Sequence, residues 1–138
     1  MSETQPEGRD APARRRAIST PDAPPALGPY SQAIVAGGLV FVSGTAGITA
    51  EGEVQDGIEA QTHTALDNLA AILKAAGSSM DQLVKVTIFY SSVADFPLIN
   101  AIYESRMPDP APARSAPANV QLPRGLLISI EAIALAGE

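Results

Sequence analysis

Arg114, set in Pro112-Ala113-Arg114-Ser115, is the residue whose type and surroundings point most directly to chemistry in this 138-residue chain. A guanidinium stays charged at every working pH and presents a rigid two-pronged donor face that matches a carboxylate. Here it follows prolines and precedes an apolar stretch, Leu126 to Ala134, a setting suited to capturing a small organic acid. The plainer alternative is an ion pair at a subunit contact. The rest of the chemical inventory is thin. His63 is the one side chain with an unperturbed pKa near neutrality, but no histidine or cysteine stands at metal-ligand spacing from it. We place it at the flank of a helix, as a surface or boundary residue. The chain has no cysteine, which excludes disulfides, thiolate metal sites and thiol catalysis. It also has no P-loop, dinucleotide glycine pattern or serine-nucleophile elbow.

The elements that must position Arg114 can be read from periodicity. Residues 1–16 are polar, with Pro6, Pro12 and the run Arg14-Arg15-Arg16, and lack the apolar content to offset their ordering entropy. They are expected to be a flexible tail, with the three arginines a solvated or strand-leading run, leaving residues 17–138 as one domain. A helix is expected from about Gly57 to Ala76, with Ile58, Ala65, Leu66, Leu69, Ile72, Leu73 and Ala76 on one stripe. Asp56 with Glu59 suggests a capping box, and Gly77 a stop. A second, shorter helix is expected to start with Asp95 as cap, to tolerate Pro97, and to bury Ile99, Ile102 and Tyr103.

Strands are expected at 33–36 and 39–42, joined by Gly37-Gly38, and at 83–90, where Val84, Val86 and Ile88 alternate with Lys85 and Thr87. The last strand puts Leu126, Ile128, Ile130, Ala132 and Ala134 on one face and Leu127, Ser129, Glu131, Ile133 and Leu135 on the other. This order, hairpin, helix, strand, helix, then two strands, gives an α+β, two-layer single domain, a mixed sheet with two helices on one face. Two helices cover one side only. The uncovered side is too apolar for water, so copies of the same chain are expected to bury it. A formal net charge of −6 argues against a sequence-independent nucleic-acid binder, and no apolar run is long enough to span a bilayer. The opening residues do not resemble a secretory signal, so a cytoplasmic location is expected.

Seven short motifs then fall in order: Gly28-Pro29-Tyr30-Ser31-Gln32-Ala33; Val42-Ser43-Gly44; Gln61 with Leu66-Asp67-Asn68-Leu69; Ala76-Gly77; Asn100-Ala101-Ile102-Tyr103-Glu104; Pro112-Ala113-Arg114-Ser115; and Ile130-Glu131-Ala132-Ile133-Ala134. Together, from about Ile18 onward, the chain resembles the Rid (RidA/YjgF-like) family of reactive-intermediate enamine/imine deaminases. The resemblance implies a chorismate-mutase-like fold and a homotrimer with clefts between subunits. It also implies hydrolysis of 2-imino acids and their enamine tautomers to 2-oxo acids plus ammonia, without metal or cofactor. An activity of the 2-iminobutanoate/2-iminopropanoate deaminase type is therefore expected, with no nucleic-acid or membrane partner.

By the same resemblance, Arg114 matches the arginine that grips the substrate carboxylate, Tyr30 the tyrosine lining the cleft, and Ser43 with Gly44 the turn beside the ligand. Asn100 matches the family asparagine on the second helix, and the backbone around Ala116 the segment that contacts the reacting nitrogen. Ser43 is expected to shape a tight strand-end turn, and Asp67-Asn68 to be a polar-face pair. Two departures stand out. Where the best-known deaminases carry a glutamate thought to position the attacking water, this chain has Ser129, a poor base at neutral pH. Glu131 lies on the same face about 7 Å further along, out of place as a substitute. The segment between Asn100 and Arg114 is also about three residues shorter than in the common deaminases and lacks their aromatic residues. The alternative function is accordingly a trimeric binder of 2-oxo acids or similar metabolites, without catalysis or with a specialised reaction. Endoribonuclease action, attached to some relatives, is disfavoured by the acidic composition and the single histidine.

Overall fold

A computed structural model describes residues 14–137. Six strands, β1 (Arg16–Ile18), β2 (Ala33–Ala36), β3 (Leu39–Ala46), β4 (Leu83–Tyr90), β5 (Ala113–Ser115) and β6 (Ile128–Leu135), form one sheet ordered β1-β2-β3-β6-β4-β5. Every neighbouring pair is antiparallel except β4 and β5, which run parallel. Helices α1 (Gly57–Ala75) and α2 (Phe96–Arg106) pack against each other, and α1 lies on β3 and β6. This is the expected α+β single domain, with a mixed sheet and two helices. It has one strand more than the sequence suggested. Of the expected tail, residues 1–13 lie outside the described residues, while Arg16 heads β1 and pairs with Val35. The arginine run therefore leads into an edge strand.

Local chemistry explains the joints. Gly37 and Gly38 both take positive φ, +60° and +80°, the backbone that a two-residue turn between right-twisted strands requires. Helix α1 ends in a Schellman arrangement: the Ser78 N–H donates to the Leu73 carbonyl at 2.8 Å, and that of Gly77 to Lys74 at 3.0 Å. The expected capping box at its start does not form. Asp56 occupies the N-cap position, but its side chain makes no capping bond. Nor does Asp95 cap α2, because a short 3-10 turn over Val93–Asp95 precedes that helix, and the Ser92 hydroxyl caps the turn instead.

The core lies between sheet and helices. Leu66, Leu69, Leu73, Ile88, Ile99, Ile128 and Ile130 are fully buried, and Ile102 and Tyr103 join them from α2, as expected. The alternation read for β6 holds, since Leu126, Ile128, Ile130, Ala132 and Ala134 are all buried. The strand itself begins only at Ile128, because a 3-10 turn over Pro123–Gly125 precedes it. The opposite face stays open in the single chain. There Phe41 pairs with Ile34 on one side and Ile133 on the other, Leu39 pairs with Leu135, and Phe41, Val84 and Leu135 are exposed.

Candidate active site

Arg114 sits in the middle of β5, the last strand of the sheet, opposite Val86 of β4. Paired residues in a parallel ladder share a face, and Val86 is fully buried on the helical side, so Arg114 projects over α2. Its Nη1 donates to the Asn100 side-chain carbonyl at 2.7 Å. Its guanidinium carbon lies over the Tyr103 ring at 4.8 Å from the centroid and over the Phe96 ring at 5.4 Å. Phe96 in turn stacks on Tyr90, with centroids 5.6 Å apart. Among the described residues, no carboxylate neutralises Arg114; the one ion pair there joins Arg106 to Asp67. Burial pushes the Tyr103 hydroxyl pKa above its ordinary value, with the Arg114 charge pulling weakly the other way. That hydroxyl is buried with no hydrogen-bond partner among the described residues.

Tyr30, Ser43, Gly44 and Ser129 gather elsewhere, around a cavity of about 710 Å³. The gathering depends on an irregularity in β3. Its register against β6 slips between Val42 and Thr45, so Ser43 and Gly44 bulge out of the ladder. Ser43 therefore lies within a strand and not in the strand-end turn expected for it. Its hydroxyl donates to the Ser31 carbonyl at 2.6 Å, and its N–H to Gln32 at 3.0 Å, tying the bulge to the Tyr30 segment. Tyr30 is 54% exposed, its ring forming part of the cavity wall. Gly44 faces Ser129 so closely that a Cβ there would stand 2.5 Å from the Ser129 hydroxyl oxygen. A larger residue there would force the Ser129 hydroxyl to turn away. The remaining wall is mostly apolar, with Leu27, Ile48, Ile72, Leu122 and Leu126, and its charged members are Glu51 and Arg124.

Two groups thus emerge. The cavity holds Tyr30, Ser43, Gly44 and Ser129, and the β5 edge holds Arg114 and Asn100. Ala116, half-buried just after β5, belongs to the edge, where the neighbouring Pro117 carbonyl accepts from Tyr90. Ser129 pairs with Phe89 across β4 and alternates with the buried Ile128 and Ile130, so it faces away from the helices. Arg114 faces toward them, with β4 between. Glu131 is exposed on the open side opposite Thr87, and His63 is exposed on α1.

Several residues have larger roles than the sequence suggested. Asn68 is buried and donates to the carbonyls of Ala46 at 3.0 Å and Ile48 at 2.8 Å, so it is not half of a polar-face pair; Asp67 alone faces solvent. Gln61 accepts from Leu127 N–H at 2.9 Å and donates to Gln55. Gln32 accepts from Thr20 N–H and donates to Pro24, holding the loop that carries one cavity wall. Each is a buried amide bridging backbone across a long sequence separation, a role that hydrophobic periodicity does not register. The stripe Phe96, Asn100, Tyr103 was a legible signal, since spacings of four and three put all three on one helix face. Within the motif Asn100 to Glu104 only Asn100 has a site role by resemblance, while periodicity puts Tyr103 in the core.

Known proteins resemble this chain in sequence and fold. A family model described as Endoribonuclease L-PSP matches residues 20–136. The chloroplastic Reactive Intermediate Deaminase A of Arabidopsis thaliana is 46% identical over 123 residues, covering 88% of this chain and 66% of that protein. The human 2-iminobutanoate/2-iminopropanoate deaminase is 40% identical over 125 residues, covering 89% of this chain and 91% of its own length. The crystal structure of E. coli TdcF with bound serine superposes with a TM-score of 0.83 at 34% identity, covering 88% of this chain and 99% of that one. Among the described residues no helix is long and apolar enough to cross a membrane, and none of their His, Cys, Asp and Glu side chains form a cluster fit to hold a metal ion. The matched span, the shared fold and these identities agree with the seven ordered motifs: the chain belongs to the Rid (YjgF/RidA) family, the family of that Endoribonuclease L-PSP model.

Proposed function

We propose that this protein hydrolyses small 2-imino acids, and the enamines in equilibrium with them, to 2-oxo acids and ammonia, in a cleft completed by a second copy of the chain within a homotrimer. The observation that carries the reading is Arg114. It is held by a neutral amide and two aromatic rings, with no carboxylate paired to it among the described residues, so its charge is available to an incoming carboxylate. The deaminase names of the Arabidopsis and human relatives support the reaction class, and the serine bound in the TdcF structure supports a small amino-acid-sized ligand.

The division of the site supports the assembly. Within one chain Arg114 and Ser129 lie on opposite faces of the sheet, so one substrate spanning both draws on two copies. The apolar open face, with Phe41, Ile133 and Leu135, supplies a surface for those copies to bury. In the reaction, Arg114 fixes the carboxylate and Tyr30 closes the cavity. Water held at Ser129 adds to the imine carbon, giving a carbinolamine. The nitrogen gains a proton, assisted by the backbone beside Ala116. The C–N bond then breaks, ammonia leaves with the bonding electrons, and the hydroxyl loses its proton to become the ketone. Serine orients the water without accepting its proton, so the rate is lower than a carboxylate would give by about 10²–10⁴-fold.

That same serine favours the second reading, a binder of 2-oxo acids that does no chemistry. The two are separated by ammonia release from enzymatically generated 2-iminopropionate, corrected for buffer hydrolysis. For the hydrolase, Arg114→Ala lowers kcat/KM by about 10²-fold, the worth of a charged hydrogen-bonding clamp, and Ser129→Glu raises kcat by about 10²-fold or more. Wild-type protein no faster than buffer, with no gain from Ser129→Glu, establishes the binder instead. A cytoplasmic location is part of the same proposal and is tested by fractionating cells.

A further inference from the structure

Helix α2 does more than cover the sheet at the β5 edge. Phe96, Asn100 and Tyr103 stand at i, i+4 and i+7 and turn one face of the helix toward Arg114. Asn100 takes one guanidinium nitrogen by a 2.7 Å hydrogen bond, while the two rings lie under the guanidinium carbon at 4.8 and 5.4 Å. Phe96 is itself backed by Tyr90 of β4, so that ring is fixed from behind. A free arginine side chain loses much rotamer freedom on gripping a ligand, and a guanidinium already held over two aromatic rings and tied to an amide has lost part of it beforehand. Contact with a ring face consumes no N–H donor, so apart from the Nη1 bonded to Asn100 the guanidinium donors stay available to a planar carboxylate.

We propose that Phe96 and Tyr103 are positioning residues that hold the Arg114 guanidinium in its carboxylate-receiving orientation through their ring faces, with the Tyr103 hydroxyl taking no part. The inference rests on the reading of Arg114 as carboxylate clamp. The missing hydroxyl partner follows directly: Tyr103 is 5% exposed, and its oxygen has no hydrogen-bond partner among the described residues, so the group presented to Arg114 is the ring.

The test is a double-mutant cycle on binding of 2-oxobutanoate, measured by calorimetry, alongside KM and kcat for 2-iminopropionate. Tyr103→Leu is expected to raise Kd and KM about three- to tenfold with kcat little changed, the range that a desolvated cation–π contact supplies. Tyr103→Phe, which keeps the ring, is expected to restore Kd to within about twofold of wild type, and Phe96→Leu to raise it more weakly than Tyr103→Leu. In an Arg114→Ala background, Tyr103→Leu is expected to cost nothing further, because the group it positions is gone. Should Tyr103→Leu fail to fold, Phe96→Leu with and without Arg114→Ala gives the same cycle. The inference is overturned if Tyr103→Phe is as damaging as Tyr103→Leu, if the loss persists without Arg114, or if the ring variants bind normally while Arg114→Ala does not. If Arg114→Ala itself binds 2-oxobutanoate as wild type does, the clamp reading falls first and takes the bracket with it.

Discussion

The cavity and the β5 edge solve the problem of presenting polar groups in opposite ways. The cavity is concave, mostly apolar, and shaped by backbone: a bulge in β3, a glycine facing Ser129, and a loop pinned by Gln32. The edge is shaped by side chains, with one cation laid on two rings and tied to an amide. Pockets can be built from main chain because the ladder fixes it to fractions of an ångström. A charge at a sheet margin has no such frame and needs neighbours to immobilise it. In the proposed cleft each half is incomplete without the other, and each fails in its own way.

Complementation breaks the comparison most sharply. A Gly44→Leu chain blocks the cavity but keeps the clamp, and an Arg114→Ala chain does the reverse. Either alone is expected to fall to a few per cent of wild-type activity or less, roughly the loss of one charged clamp. Refolded together at equal amounts, they are expected to recover activity at about a quarter of the sites, the share pairing an intact clamp with an intact cavity under random mixing in a closed ring. No recovery would mean that both halves serve one chain. A smaller effect is expected at Asn68→Ala, which leaves the Ala46 and Ile48 carbonyls without their donor. Thermal or urea unfolding should show a loss of about 2 kcal/mol, roughly that of a buried polar pairing left unsatisfied. Activity should fall at least as far as the folded fraction does, since Asn68 also holds the β3 end of the cavity wall.

The smallest effect is a pH signature of the edge. The Tyr103 pKa is raised in the folded chain above its ordinary value of 10.0, so above that pH the unfolded state has shed a proton that the folded state keeps. The associated stability is complete below about pH 10 and is lost as pH rises through the raised value. Urea midpoints from pH 9 to 11 are expected to fall more steeply for wild type than for Tyr103→Phe. Equal slopes would mean that the hydroxyl titrates as if in water.

The sequence carried the edge and the cavity unequally. Alternation in β6, the stripe of α1 and the Gly37-Gly38 turn are short-range patterns, and they translate directly into faces and elements. Arg114 stood out because its charge has few reasons to follow a proline-marked loop. The division of the site did not stand out. The β6 alternation places Ser129 on the uncovered face, but the face of Arg114 follows from the parallel pairing of β5 with β4, and the meeting of Gly44 with Ser129 from the slip in β3. Neither leaves a local mark, and a bulge differs from a regular strand by a single residue of register. Asn68 was misjudged for a related reason: an amide beside an aspartate on a helix looks solvated until the carbonyls it feeds, some twenty residues upstream, are placed against it.

Through Gln61 and Asn68, α1 grips the approach to β6 at Leu127 and the end of β3 at Ala46 and Ile48, which together frame the gap between Gly44 and Ser129. The helix therefore works as a bar braced across a gap whose width the β3–β6 ladder sets, with Ala46 paired to Ser129. Anyone wishing to enlarge the pocket for bulkier substrates should leave this bar alone and recut the 19–28 loop, which hangs from Gln32 and can be reshaped without disturbing the gap.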